Sequence, residues 1–234
     1  LAAPVQITID PATRHQTIAA WETTIDLFWP DKFTPYRDEI FDRLIDDVGI
    51  TRLRVGVFCG DENIDHSFED YRTGRIDYAT WSLRRYVTIN DDADPFHINW
   101  AGFDFSDLDY RIEQVFVPMR ARAEARGRKL DFNLNYVAFT DQSQGGPYIH
   151  TEAEEYAEFI LAAFLHMQEK YGFTPDAVEV LLEPENSPHW TPELLAKAIA
   201  AVTRRLTGAG FHPRLIAPSV EDARHAVPWM KTIA

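Results

Sequence analysis

The chain has 234 residues, 45% of them hydrophobic and 26% charged, with a formal net charge of −14. That length can bury one substantial α/β core, and no apolar run approaches the roughly 18 to 20 residues of a membrane span. The acidic balance excludes a nucleic-acid backbone as the expected partner, because neutralising phosphates needs clustered Lys and Arg.

In chain order, VQITID (Val5 to Asp10) alternates like a strand, and Pro11 ends it. TIAAWETTI follows as the expected first barrel strand, reaching an aromatic and acidic patch at Trp21, Glu22 and Asp26. Thr34 then caps a helix with Pro35 at its first position. Its apolar residues Ile40, Phe41, Leu44, Ile45 and Val48 recur at helical spacing. ITRLRVGV is the second strand, with Arg54 expected in the barrel lumen and Arg52 at the opposite face or end.

The longest irregular stretch, 58–105, comes next and is rich in Trp, Tyr and Phe. Connections beyond ~12 to 15 residues are usually functional or disordered, and this one reads as an ordered excursion over the mouth. A helix from Ser106 follows, with Ser106 and Asp109 in capping-box spacing and a kink expected at Pro118. LDFNLNYVA is the third strand. Its Asn133 and Asn135 share one face, which favours a polar lumen, and Asn135 and Tyr136 stand near its end as pocket candidates. Thr151 and Glu154 suggest a second capping box before the next helix. AVEVLLEP is the fourth strand, Thr191 and Pro192 start another helix, and RLIAPSV is the fifth strand before a last helical stretch.

Four of these helices end in glycine, at Gly49, Gly127, Gly172 and Gly210, each shortly before a strand. Glycine takes the left-handed cap conformation cheaply, and Pro175 and Pro213 stop the helix resuming. Short crossings on one side and long loops on the other are the layout of a (β/α)8 TIM-type barrel, here with about five β/α units in one domain, 1–234. Five units leave two apolar edges, so the expectation is the front part of a longer protein rather than an open sheet.

The segment VEVLLEPENSPHW concentrates the chemistry. It brings Glu183 to the end of the fourth strand, followed by His189 and Trp190. A carboxyl group among apolar strands and rings loses solvation, which favours its protonated form and suits it to donating a proton. Glycoside hydrolysis needs such an acid, and sugar rings stack on aromatic faces. The bland alternative is that Glu183 and Glu185 cap a strand end and face water.

The acidic clusters Asp61, Glu62, Asp65 and Asp91, Asp92, Asp94 lack the spacing of a calcium loop and read as solvated loops. His66, His97, His150 and His189 show no metal spacing. No metal and no cofactor is expected, and nucleotide cradles and the GxSxG elbow are absent. Cys59 is the single cysteine, so no intrachain disulfide can form.

The order of elements resembles glycoside hydrolases of clan A, particularly the family 30 type of glucosylceramidases and xylanases. The likeness rests on HQTIAAWETTIDLF at the first strand, RLRVGV with Arg54 at the second, VLLEPENS at the fourth and IAPSVEDA at the fifth. It implies a retaining glycosidase acting on a β-linked glycan or glycoside. Glu183 would be the general acid/base, and Trp21, Glu22, Arg54, Asn135, Tyr136, His189 and Trp190 would contact the sugar. The resemblance places the nucleophile on the seventh strand, beyond Ala234, with Glu22 as the one internal substitute. Two positions depart from the pattern. Leu182 stands where the family has Asn, and Ala20 and Trp21 stand where a glycine pair is usual. These departures keep a non-catalytic, carbohydrate-binding barrel relative open as the alternative. The opening LAAPV looks like the tail left by signal-peptide cleavage, so a secreted or periplasmic protein is expected, and otherwise a cytoplasmic one.

Overall fold

A computed structural model describes residues 5–15, 17–18, 20–24, 34–65, 67–143 and 145–234. Asp26 and His66 lie outside the described residues. Five strands form one parallel sheet in the order of the sequence: β1 (Glu22–Thr24), β2 (Arg52–Phe58), β3 (Asp131–Val137), β4 (Ala177–Glu179) and β5 (Arg214–Ile216). Parallel neighbours need crossover connections, and helices supply them. The helices are α1 (Arg37–Arg43), α2 (Ser67–Arg72), α3 (Tyr78–Arg84), α4 (Ser106–Arg111), α5 (Val117–Ala125), α6 (Ala153–Tyr171), α7 (Pro192–Gly208) and α8 (Ala223–Ile233). Strand order matching chain order is the arrangement of a partial TIM-like sheet.

The strand alternation separates two faces. On β2, Leu53, Val55 and Val57 are buried, and on β3, Phe132, Leu134 and Tyr136 are buried to within 1%. These residues meet Phe159, Ile160 and Phe164 of α6 and Val202 and Leu206 of α7 in one core. Each fully buried Phe, Leu or Ile contributes about 1.5 to 3 kcal/mol over its exposed state. The other face carries Arg52, Arg54 and Gly56, in register with Asp131, Asn133 and Asn135 and then, for the last two, Ala177 and Glu179. Arg52 and Arg54 therefore share the lumen face. Residues two apart on a strand point the same way, which corrects the reading that set them on opposite faces.

All four helix-ending glycines adopt the left-handed conformation, with φ of 74° at Gly49, 67° at Gly127, 71° at Gly172 and 87° at Gly210. Thr191 caps α7, accepting Leu194 N–H at 3.2 Å. The other caps differ from expectation because long-range partners claim the side chains. Asp109 accepts His166 at 2.7 Å and Tyr171 at 2.8 Å, both on α6, instead of capping α4. Glu154 pairs with Arg204 and Arg205 of α7. At Thr34–Tyr36 a 3-10 turn precedes α1. Near Pro118 the helix widens into a π-helical turn over Ile112–Phe116, just before the residue that lacks an N–H. VQITID forms no strand: Val5, Ile7 and Ile9 are 86%, 82% and 86% exposed, and alternation without a pairing neighbour does not make a sheet.

Candidate active site

The C-terminal ends of β1, β2 and β3, with Leu182 beyond β4, line a cleft of about 120 Å³. Arg54 and Asn135 form its polar wall, while Phe58, Tyr86, Phe139 and Leu182 form its apolar wall. Tyr86 comes from the 58–105 excursion and meets Phe58 and Phe139 with ring centroids 5.9 and 6.0 Å apart. A larger cavity of about 200 Å³ lies near the start of β3, lined by Phe116, Lys129, Phe132 and Asp176. Chemistry in α/β folds gathers at the carboxyl ends of strands, so the smaller cleft is the functional candidate.

Below the cleft, the lumen face holds an ionic lattice. Glu179 is 2% exposed and accepts Arg54 Nη1 at 3.3 Å, Asn133 Nδ2 at 3.2 Å and the Ser219 hydroxyl. Asn133 Nδ2 also reaches Glu22 at 3.0 Å, and Arg52 pairs with the same Glu22 oxygen. A buried carboxylate costs several kcal/mol unless paired, and this lattice supplies the pairing. It leaves two acceptors open: Asn133 Oδ1 and Asn135 Oδ1 are buried without a partner among the described residues.

Glu183 lies four residues beyond the end of β4 and carries the one positive φ of a non-glycine residue among the described residues, 48°. Such a backbone costs about 1 to 3 kcal/mol and clusters at functional sites. Its N–H is fixed on Ser219 O at 2.8 Å, extending the pairing with the β5 side. Pro184–Asn186 form a 3-10 turn, and Asn186 Nδ2 returns to Glu183 Oε2 at 3.1 Å and to Glu221 Oε2 at 3.2 Å. Glu183 is partly buried, one residue beyond the cleft-lining Leu182.

The other sequence-derived candidates scatter. Tyr136 projects to the helix face, where Tyr136 Oη lies 2.6 Å from His150 Nδ1 and 3.0 Å from Tyr148 Oη. Trp190 is 4% exposed and donates its indole N–H to Tyr148 at 2.5 Å, while His189 stacks on Tyr148 at 5.1 Å. Trp21 is 56% exposed at the opposite, amino end of β1. Glu22 registers with Arg52, also toward that end and away from Glu183.

His150 Nε2 meets Glu62 at 2.8 Å, with both side chains fully buried. Asp61 is also buried, at 6% exposure, and its carboxylate reaches Phe58 N–H at 3.4 Å. Asp61 and Glu62 are therefore not in a solvated loop, contrary to the sequence reading. No group of three or more His, Cys, Asp or Glu among the described residues is placed to hold a metal ion.

Sequence reasoning missed Tyr86, Phe139, Glu179 and Ser219. Glu179 was within reach, since it follows Ala177 by two on the strand registered with Asn133 and Asn135. Tyr86 and Phe139 sit in loops whose approach no local pattern encodes.

The fold itself resembles solved structures. The catalytic domain of GH30 xylanase C from Talaromyces cellulolyticus superposes with a TM-score of 0.57 and 16% identity, over 95% of this chain and 51% of that one. A conserved exported protein from Bacteroides fragilis gives a TM-score of 0.50 and 15% identity, over 92% and 46%. This chain thus spans about half the length of either structure. No family model and no curated protein matches the sequence.

Proposed function

We propose that the protein is a glycoside hydrolase acting with retention on a β-linked glycan or glycoside, with Glu183 as its general acid/base. The observation that carries this reading is Glu183 itself, held in a left-handed backbone just beyond β4 and next in the chain to Leu182, which lines the aromatic-walled cleft. The xylanase-like fold supports it. In the first step Glu183 gives its proton to the departing glycosidic oxygen, and in the second its carboxylate takes a proton from water. Asn135 Oδ1, buried and without a partner among the described residues, is a ready acceptor for a sugar hydroxyl, and Arg54 is a donor on the same wall. Tyr86 and Phe139 offer the apolar surface on which a sugar ring packs. Trp190, Tyr136 and His189 act from behind, as supports of the loop that bears Glu183.

Retention needs a second carboxylate about 5 to 5.5 Å from the first. Glu22 is engaged by Arg52 and Asn133 toward the far end of the lumen, so the nucleophile is proposed to stand outside these 234 residues. The substrate is proposed to be carbohydrate and the protein to be exported. Among the described residues no helix is long and apolar enough to cross a membrane.

Glu183→Gln tests the reading. The variant should lose about 10²- to 10⁴-fold in turnover of glycosides with poor leaving groups while binding them as before. Unchanged turnover removes Glu183 from the mechanism. Leu182 in the cleft wall favours a second reading, a barrel relative that binds carbohydrate without cleaving it. Saturable glycan binding by the wild type with no turnover of even activated aryl glycosides would select that one.

A further inference from the structure

We propose that Asn186 is the positioning residue for Glu183, an inference that rests on the glycosidase reading and adds a residue to it. Leu182, the neighbour on the strand side, is apolar and offers Glu183 no hydrogen bond, so orientation has to come from elsewhere. The 3-10 turn Pro184–Asn186 brings the Asn186 amide back over the carboxylate three residues earlier, closed by Asn186 N–H on Glu183 O at 2.9 Å.

An asparagine amide nitrogen has two hydrogens. One goes to Glu183 Oε2 at 3.1 Å and the other to Glu221 Oε2 at 3.2 Å, so the amide is pinned from the β5 side. Glu185 locks the same junction: its Oε1 accepts the N–H of Glu221 at 3.0 Å and lies 3.1 Å from His225 Nδ1. With Oε2 occupied, Oε1 becomes the oxygen that carries the transferable proton. The strained backbone at Glu183 is held by bonds on both sides, Ser219 O before the turn and Asn186 within it.

A residue that aims the acid matters in proportion to how much the leaving group needs a proton. Asn186→Ala and the isosteric Asn186→Asp should each lose about 10- to 100-fold in kcat/KM on alkyl glycosides. Dinitrophenyl glycosides, whose leaving group departs without proton donation, should lose less than about threefold in kcat/KM, which reports the first step and not the later activation of water. Glu221→Ala should show the same split more weakly, and Glu221→Gln, which keeps an acceptor for the amide, should recover most of it. Equal losses on both substrate types, or no loss on either, would overturn the role of Asn186 while leaving Glu183 in place. If the wild type, assayed as a protein that includes the proposed nucleophile, turns over neither substrate, or Glu183→Gln is fully active, the glycosidase reading itself fails and Asn186 falls with it.

Discussion

The two faces of β3 solve the problem of burying polar groups in opposite ways. Toward the helices, Tyr136 joins a chain whose protons fit in one direction. Trp190 Nε1–H donates to Tyr148, Tyr148 to Tyr136, and Tyr136 to His150 Nδ1, leaving His150 Nε2–H for Glu62. Burial pushes the Tyr136 and Tyr148 phenols well above their ordinary range, so both remain donors. Toward the lumen, Asn133 and Asn135 each keep a buried carbonyl oxygen with no donor among the described residues. A closed network fixes structure. An open one stores unmet demand for a partner, which is what a binding wall needs.

The largest effect should come from breaking the closed side. His150→Leu leaves the Glu62 carboxylate buried without its main donor and Tyr136 without its acceptor. Leaving a buried charged acceptor without its donor typically costs about 3 kcal/mol or more. Urea denaturation should show a loss of that size, and the melting temperature should fall by about 2 to 4 °C per kcal/mol. A loss below about 1 kcal/mol would mean that the network is not what ties the 58–105 excursion to the loop before α6.

Next to that network sits Glu158 of α6, 1% exposed, with neither carboxyl oxygen partnered among the described residues. Burial first, then the nearby Asp91, Glu155 and Glu62, push its pKa up from 4.5 to about 8, with Arg205 acting in opposition. The unfolded chain gives up this proton near 4.5, whereas the folded chain holds it to about 8. Stability contributed by the neutral form is therefore fully present below pH 4.5 and is lost progressively as pH rises through that window. Glu158→Gln stays neutral at every pH. Between pH 5 and 9 the wild type should lose stability relative to this variant by on the order of a few kcal/mol. Parallel stability curves for the two proteins would show that Glu158 is not protonated in the folded state.

How far these features could be read from sequence follows from their range. The left-handed glycines are local choices of backbone, and all four were legible. Asn133 and Asn135 were legible as a polar face because strand alternation is local too. The capping boxes at Ser106 and Thr151 failed since Asp109 and Glu154 were claimed by charges on α6 and α7. Glu62, Tyr136 and His150 come from the excursion after β2, from β3 and from the loop before α6. No spacing rule joins them, because what unites them is the packing of α6 against the sheet. Proximity in sequence to Glu183 makes Trp190 an expected sugar contact. In the fold its ring lies on Tyr156 at 5.3 Å and Tyr136 at 6.3 Å, turned inward by the hydrogen bond to Tyr148.

A gentler cut isolates the far end of the closed network. Tyr148→Phe keeps the ring that stacks on His189 and removes only the hydroxyl between Trp190 and Tyr136. It leaves the Trp190 indole N–H without its acceptor, at a cost of about 1 to 3 kcal/mol. Its indole proton resonance, assigned by loss in Trp190→Phe, should shift and exchange faster with solvent. No change in that resonance would place the anchoring of the 183–190 loop elsewhere.

The smallest effect has the opposite sign and comes from the open side. Asn135→Leu replaces a buried amide by an apolar side chain of similar shape. The Asn135 carbonyl oxygen has no donor to lose among the described residues, and the cleft already has Leu182, Val137 and Phe139 to meet the new methyl groups. Substituting an unsatisfied polar group this way is near neutral or favourable, so stability should stay level or rise by up to about 1 kcal/mol. On the proposed glycosidase reading, glycan affinity should fall at the same time, since Asn135 would no longer offer an acceptor to a sugar hydroxyl. Isothermal titration calorimetry and urea denaturation on one preparation would read both quantities together. A loss of stability would show that Asn135 is partnered in the folded protein, and the contrast between the two faces of β3 would then be one of degree. A gain accompanied by unchanged binding would keep the contrast but take the sugar away from this wall.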